Sequence, residues 1–197
     1  LTQLLAPYFD HVVATDISAA QLQHAPYFEN VSYQLQPAEQ TSIPTQSIDL
    51  VTVAQAIHWF NFDAFYAEVK RVLKPHGVIA VIGYGLIQVQ KVEVHDLIEQ
   101  LYAETLNGYW EPERRYIDEQ YQTISFPFHE YPVPQLSLNY SWTAQQLLAY
   151  LKTWSALQHY QTIHSDDPLQ HLAQALTDAP ERFSVTFPIW LRIGTVL

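Results

Sequence analysis

The first half of the chain alternates short strand-like and helix-like segments, and this alternation constrains the fold more than any other feature. Four apolar runs bounded by turn residues predict strands over residues 11–15, 31–35, 48–54 and 78–82. A helix is predicted over 61–73, where apolar residues recur three and four positions apart. Strands that alternate with helices in this way are typical of an α/β fold with a parallel sheet.

The second half changes in character after residue 87. Segment 88–131 is richer in Glu, Tyr and Trp, and we interpret it as a helical cap insert. A strand over 183–197 is expected to break near Pro188, because proline cannot donate to a ladder. Further helices are predicted over 92–106, 112–122, 143–158 and 167–177, with a strand over 136–140. We therefore expect one domain over 1–197, with a core formed by 1–87 and 132–197.

Composition excludes several classes of function. The 20 acidic residues outnumber the 9 basic ones, which gives a formal charge of −11 and argues against a nucleic-acid partner. The chain has no cysteine, so disulfides, zinc–thiolate sites and thiol nucleophiles are excluded. No apolar stretch approaches the roughly 20 residues that a bilayer requires, and no leader pattern opens the chain. We expect a cytoplasmic protein without a membrane partner.

Polar side chains follow two of the predicted strands, where open α/β sheets bind their ligands. Asp16 follows the first strand, and an acid there can accept hydrogen bonds from two ribose hydroxyls. The helix macrodipole also favours an acid near a helix N-terminus, and this structural role explains Asp16 equally well. Gln55, His58 and Trp59 place an amide, an imidazole and an indole directly after a buried strand. An ordinary core or surface histidine is the alternative for His58, and no histidine or carboxylate spacing predicts a metal site.

The segments VVATDIS, AEQTSIP and SIDLVTVAQAIHWFNFDAFYAEVKRVLKPHGVIAVIGYG resemble class I S-adenosylmethionine-dependent methyltransferases. Within that class the resemblance is to methyltransferase type 11 and to the trans-aconitate-methyltransferase-like branch, and LKTWSA (151–156) and FPIWLRIG (187–194) share it. It implies a Rossmann-like three-layer sandwich with a mainly parallel sheet and an antiparallel C-terminal strand. It also implies S-adenosylmethionine as the cofactor and a small-molecule methyl acceptor, with a carboxylic acid as one candidate.

The resemblance implies roles for the residues that would bind the adenosine end of the cofactor. Asp16 would hold the ribose hydroxyls, and Ile17 would pack on the adenine. The backbone of Ala38 would hydrogen-bond to the adenine edge, and Glu39 would accept a hydrogen bond from the adenine amino group.

Other residues are implied to lie near the methyl group and the acceptor. Gln55 and His58 would lie near the methionine arm, and Trp59 would help to close the site. His58 is the candidate general base if the acceptor is a hydroxyl or an amine, since an unperturbed imidazole titrates near ~6.5. Trp154 and Ser155 would contact the acceptor.

Two departures from the family pattern keep alternatives open. The glycine-rich loop that binds the methionine carboxylate would lie before Leu1, and His76 stands where the family usually has glycine. We expect either a longer amino terminus in the working protein or a remodelled fragment that holds the cofactor poorly. The alternatives are a nicotinamide-dependent dehydrogenase and a non-catalytic Rossmann-like module that acts by binding or oligomerisation. A homodimer is a further expectation.

Overall fold

The computed structural model of the protein describes residues 1–177 and 182–196. Within them, the strands are β1 (Val12–Asp16), β2 (Val31–Leu35), β3 (Ile48–Ala54), β4 (Leu73–Tyr84), β5 (Gln88–Val89), β6 (His129–Tyr131), β7 (Leu136–Trp142) and β8 (Phe183–Thr195). The α-helices are α1 (Thr2–Leu5), α2 (Ala19–Gln23), α3 (Phe62–Val72), α4 (Val92–Gln100), α5 (Arg115–Asp118), α6 (Ala144–Leu151), α7 (Ser155–Ile163) and α8 (Gln170–Ala175). Short 3₁₀ turns cover Ala6–Tyr8, Ile57–Trp59 and Pro112–Arg114, and a π-helical turn covers Leu101–Thr105.

The strands form two sheets. β1 and β2 pair in parallel, with Asp16 opposite Leu35, and make a two-stranded sheet. β3 pairs in parallel with β4, and the order β3-β4-β8-β5 continues the second sheet. β5, β6 and β7 are each antiparallel to β8, which confirms an antiparallel C-terminal strand in a mixed sheet. In the described part of the chain, the strand that ends at Asp16 is not hydrogen-bonded to the strand that precedes Gln55.

Side-chain caps fix where several helices begin. The Ser18 hydroxyl accepts from the Gln21 N–H at the start of α2, and the Asn61 side chain accepts from the Ala64 N–H at the start of α3. Thr143 and Gln146 form a reciprocal capping box at α6. Each cap satisfies an N–H that lacks a partner within the helix, so these sequence positions determine the helix starts.

The chain forms two compact units. The first comprises Leu1–Ile82, Ile124–Val133 and Leu191–Leu197, and the second comprises Gly83–Thr123 and Pro134–Trp190. These bounds differ from the segments 88–131, 1–87 and 132–197 that the sequence suggested. A capping role for 88–131 stays a prediction.

In the first unit, one face of α3 is buried. Phe65, Tyr66, Val69 and Val72 are buried at helical spacing, and the Tyr66 ring makes edge contacts with Phe126 and Phe128. Burial raises the pKa of the Tyr66 hydroxyl to about 12. The apolar face that the sequence predicts for this helix is therefore the face that packs.

The second unit has a core rich in aromatic residues, and two of the elements predicted for it need correction. The helix predicted over 143–158 is two helices, because the chain leaves the helical conformation at Trp154, the N-cap of α7. The predicted break near Pro188 is wrong. β8 runs on through Pro188, which lies opposite Ser137 and accepts the Gly85 N–H through its carbonyl. The proline removes one hydrogen-bond donor without ending the strand. Leu197, the last residue of the predicted strand, lies outside the described residues.

Membrane-spanning helices and metal-holding groups are both absent from the described residues. Across residues 1–177 and 182–196, no helix is long and apolar enough to cross a membrane. The same residues contain no group of three or more His, Cys, Asp or Glu side chains placed to hold a metal ion.

Candidate functional site

Asp16 lies at the carboxyl end of β1 and is half-buried. Its Oδ1 atom accepts the Ser18 N–H at 2.7 Å, which fixes the carboxylate at the turn into α2. Within the described residues, Oδ2 accepts no hydrogen bond. Asp16 therefore presents one oriented carboxylate oxygen to a ligand.

Ile17 follows Asp16 in the turn. Its side chain is 77% exposed, and that of Leu35 at the end of β2 is 60% exposed. This exposure makes Ile17 available to a flat apolar ligand, as the sequence prediction requires.

The segment after β2 forms a closed loop that carries Ala38 and Glu39. Gln36 Oε1 accepts the Ser42 N–H at 2.9 Å and closes the loop, while the Gln36 N–H donates to the Asp16 carbonyl at 3.1 Å. Glu39 Oε1 accepts the Asn61 N–H at 3.0 Å. The strand end at Asp16, the loop at Glu39 and the start of α3 are thus linked by hydrogen bonds.

Glu39 uses one carboxylate oxygen in the same way as Asp16. Its Oε1 is held by a backbone N–H, and its Oε2 has no hydrogen-bond partner in the part of the chain that is described. An ionised carboxylate accepts hydrogen bonds only, so both acids are suited to ligand hydroxyl or amino donors.

Gln55 ends β3 in an unusual backbone conformation. Its φ is 51°, in the left-handed region, while its N–H still donates to the Ile82 carbonyl at 2.8 Å. A non-glycine residue in that region costs free energy and often marks a functional turn. The turn directs the chain from β3 into the 3₁₀ turn of Ile57–Trp59.

His58 and Trp59 lie together in that 3₁₀ turn but differ in exposure. His58 is 5% exposed, Trp59 is 56% exposed, and their ring centroids are 4.9 Å apart. This arrangement fits a site in which the His58 imidazole acts on a ligand and the Trp59 indole covers that ligand. Both lie within three residues of Asn61, which contacts Glu39.

A charged pair on α3 holds the remainder of the loop that begins at Gln36. Glu68 is buried, and its Oε1 accepts from both the backbone N–H and the hydroxyl of Thr41, at 2.8 and 2.6 Å. Arg71 donates to both Glu68 oxygens, at 2.8 and 2.7 Å, and to the Ile43 carbonyl at 2.8 Å. The hydrogen bonds from Arg71 and Thr41 lower the pKa of the Glu68 carboxyl to about 2.

Trp154 belongs to the core of the second unit. It is 8% exposed, and its ring contacts those of Tyr102, Trp110 and Tyr150 at centroid distances of 5.4 to 6.1 Å. Core packing therefore accounts for Trp154. Ser155 is exposed at the first position of α7.

Hydrogen bonds link the segments that carry several of the predicted cofactor residues. Asp16, Ala38, Glu39, His58 and Trp59 lie on one series of linked turns in the first unit. Sequence reasoning missed the bond to Asn61 and the Glu68–Arg71 pair. The signal for the pair was present, because the two residues are three apart on a predicted helix, where opposite charges meet.

Comparison with known proteins gives a consistent result. Residues 1–81 match the family model described as a methyltransferase domain. A Dictyostelium discoideum protein named as a methyltransferase is 34% identical over 199 residues, which cover 96% of this chain and 76% of that protein. A Saccharomyces cerevisiae protein described as an S-adenosylmethionine-dependent methyltransferase is 31% identical over 117 residues, covering 55% of this chain and 37% of that protein.

A solved structure is similar over the whole chain. It is a protein from Anaeromyxobacter dehalogenans described as a type II methyltransferase, with 39% identity and a TM-score of 0.90. The match covers 100% of this chain and 85% of the other. The sequence similarity to the Dictyostelium discoideum protein and the structural similarity to the Anaeromyxobacter dehalogenans protein thus cover nearly the same residues of this chain.

Proposed function

The chain belongs to the class I S-adenosylmethionine-dependent methyltransferases, and we propose that it methylates a small-molecule acceptor, with a carboxylic acid as one acceptor class. The observation that carries the proposal is the hydrogen bond from Asn61 to Glu39, which links the segment after β2 to the segment after β3. These are the strand ends at which open α/β sheets bind nucleotides.

The adenosine end of the cofactor fits the donors and acceptors of the first unit. Asp16 Oδ2 accepts from a ribose hydroxyl, and Glu39 Oε2 accepts from the adenine amino group. Each acid is already oriented by a backbone N–H, so little ordering is needed on binding. Ile17 covers the adenine face, and Ala38 supplies backbone hydrogen bonds to its edge.

Gln55, His58 and Trp59 serve the methionine arm and the reacting atoms. Bound S-adenosylmethionine supplies a methyl group that is already activated, so these residues align the donor and exclude water. Alignment of this kind is worth roughly 7–11 kcal/mol of a barrier. Trp59 closes over the ligand, which its exposure allows.

The chemistry required of His58 depends on the acceptor. A carboxylate acceptor needs no base, because it is already nucleophilic. A hydroxyl or amine acceptor loses a proton, and the His58 imidazole takes it. His58 is the titratable side chain in the turn after β3, which makes it the base in that case.

Several finer expectations remain predictions. These are contact of the exposed Ser155 with the acceptor, a homodimer and a cytoplasmic location. Trp154 is buried against aromatic rings, so any effect it has on the acceptor would come through the packing of its neighbours.

The test is calorimetric titration of the full-length protein with S-adenosylhomocysteine, beside a titration with NAD⁺. We expect the first ligand to bind and the second not to bind. Asp16→Asn should weaken S-adenosylhomocysteine binding roughly tenfold, because a charged acceptor is lost. Asp10→Asn is the matched control, since Asp10 is exposed just before β1 and should have no effect. Binding of NAD⁺ alone would overturn the proposal.

A further inference from the structure

We propose that Glu68 and Arg71 are positioning residues for the adenine of the cofactor, acting through the loop that carries Ala38 and Glu39. The inference rests on the proposed function, because it assigns the loop to adenine binding. Neither side chain is expected to contact the cofactor. Both lie on α3, behind the loop, and hydrogen-bond to its second half.

The loop is held at several points. Gln36 accepts the Ser42 N–H and closes the loop at its base, and Glu39 accepts the Asn61 N–H at its tip. Glu68 then takes two hydrogen bonds from Thr41 through a single oxygen. The loop is too short for Thr41 to shift without moving Glu39, which lies two residues away.

Arg71 makes Glu68 effective as an acceptor. Its guanidinium donates from Nε and Nη2 to the two Glu68 oxygens, which fixes the carboxylate plane by a two-point contact. Its remaining side-chain hydrogen bonds go to the Thr41 carbonyl, the Ile43 carbonyl and the Thr45 hydroxyl, at 3.4, 2.8 and 3.2 Å. One arginine thus ties residues 41, 43 and 45 to the same helix.

A lysine cannot reproduce this arrangement. The ammonium group has no planar fork, so Arg71→Lys keeps the charge and loses the two-point contact with Glu68. Thr41→Val removes one hydroxyl donor and keeps the backbone donor. Thr41→Ser keeps both donors and is the conservative variant.

The ligands distinguish an effect on the adenine segment from an effect elsewhere. S-adenosylhomocysteine carries both the adenosine and the amino-acid ends, whereas methylthioadenosine carries the adenosine end alone. If Glu68 and Arg71 position the adenine segment, a variant should weaken both ligands by the same factor. An effect on the methionine arm would weaken only the first ligand.

The experiment measures the dissociation constants of both ligands by calorimetry and the hydrogen exchange of residues 38–43 without ligand. We expect Arg71→Lys to weaken both ligands roughly tenfold and Thr41→Val roughly threefold, with Thr41→Ser close to wild type. Exchange of residues 38–43 should be faster in the two weakened variants. KM for S-adenosylmethionine should rise in both, with kcat little changed.

The control is Lys74→Gln, which breaks the exposed ion pair between Lys74 and Asp49 and leaves the loop untouched. It should change neither dissociation constant. Wild-type affinities in both weakened variants would overturn the inference alone, as would a loss confined to S-adenosylhomocysteine. Failure of the wild-type protein to bind either ligand would overturn the proposed function and this inference with it.

Discussion

Glu39 Oε1 lies 3.0 Å from the backbone nitrogen of Asn61, and this bond joins the loop after β2 to the N-cap of α3. Asn61 in turn accepts the Ala64 N–H through its side chain, so one residue both begins a helix and orients a proposed cofactor acid. The two oxygens of Glu39 therefore have separate tasks, one structural and one for the ligand.

Substitutions at Glu39 should separate these two tasks. Glu39→Ala should lower the free energy of unfolding by about 1 kcal/mol and weaken methylthioadenosine binding. Glu39→Gln keeps an oxygen for the Asn61 N–H but turns an amide donor toward the adenine amino group. It should therefore keep most of the stability and still lose affinity. Chemical denaturation and calorimetry measure the two effects, and wild-type affinity in the Gln variant would contradict the proposed role.

We expect His58 to contribute to methyl transfer to the acceptor and not to the affinity for the cofactor. For a hydroxyl or amine acceptor, His58→Gln should lower kcat by about 10² to 10⁴ while the dissociation constant of S-adenosylhomocysteine stays within about threefold. His24→Gln, on exposed α2, is the control. Unchanged turnover would remove the base role and favour a carboxylate acceptor.

Local patterns in the sequence were sufficient for the elements that lie near the site. β2 and β3 have the predicted bounds, and α3 agrees to within a residue, because burial and alternation are set by neighbouring residues. The Ser18 and Thr143 caps also follow from local chemistry. Asp16 and Glu39 are candidates because strand ends are where this fold binds ligands, and their roles stay predictions.

The features that sequence reasoning missed depend on contacts between distant residues. β6 is three residues long, and only its pairing with β8 makes it a strand. Trp154 is predicted to contact the acceptor, and its burial against rings from elsewhere in its unit could not be predicted from its polar neighbours. The contact of Glu68 with Thr41 spans 27 residues, and no local pattern indicates it.

His76 occupies a backbone position that suits glycine. Its φ is 68°, and its side chain is exposed near the start of β4. His76→Gly should raise the free energy of unfolding by about 0.5 kcal/mol, because relief of left-handed strain exceeds the entropy cost of glycine. His24→Gly should not stabilise, since His24 has an ordinary φ of −98°. Urea denaturation compares the two, and equal effects would show that the turn is unstrained.

Glu68 should make stability depend on pH in a defined window. Its pKa in the folded protein is about 2, below the ordinary value of 4.5, so the folded state favours the ionised form. The stabilisation is therefore present above about pH 4.5 and is lost as the pH falls toward 2. Glu68→Gln should cost about 2 kcal/mol at pH 7, and this difference should shrink between pH 4.5 and 3. Denaturation at pH 7, 5, 4 and 3 tests it, and a constant difference would contradict the assignment.

Gly83 leaves room for the fully buried ring of Tyr121 in the second unit. A Cβ added at Gly83 would lie 2.5 Å from Tyr121 Cε2, which a packed side chain cannot tolerate. Gly83→Ala should therefore lower the free energy of unfolding by about 1–3 kcal/mol. In a Tyr121→Leu background, which lacks the clashing atom, the same change should cost about 1 kcal/mol less.

A second glycine tests whether this coupling is specific to the contact. Gly108 has a φ of 85° and no atom within 4 Å of an added Cβ, so Gly108→Ala should cost backbone strain alone. Its cost should be the same with Tyr or Leu at position 121. If the Gly83 and Gly108 variants responded equally to Tyr121→Leu, the coupling would reflect a general loss of stability and not the contact between Gly83 and the Tyr121 ring.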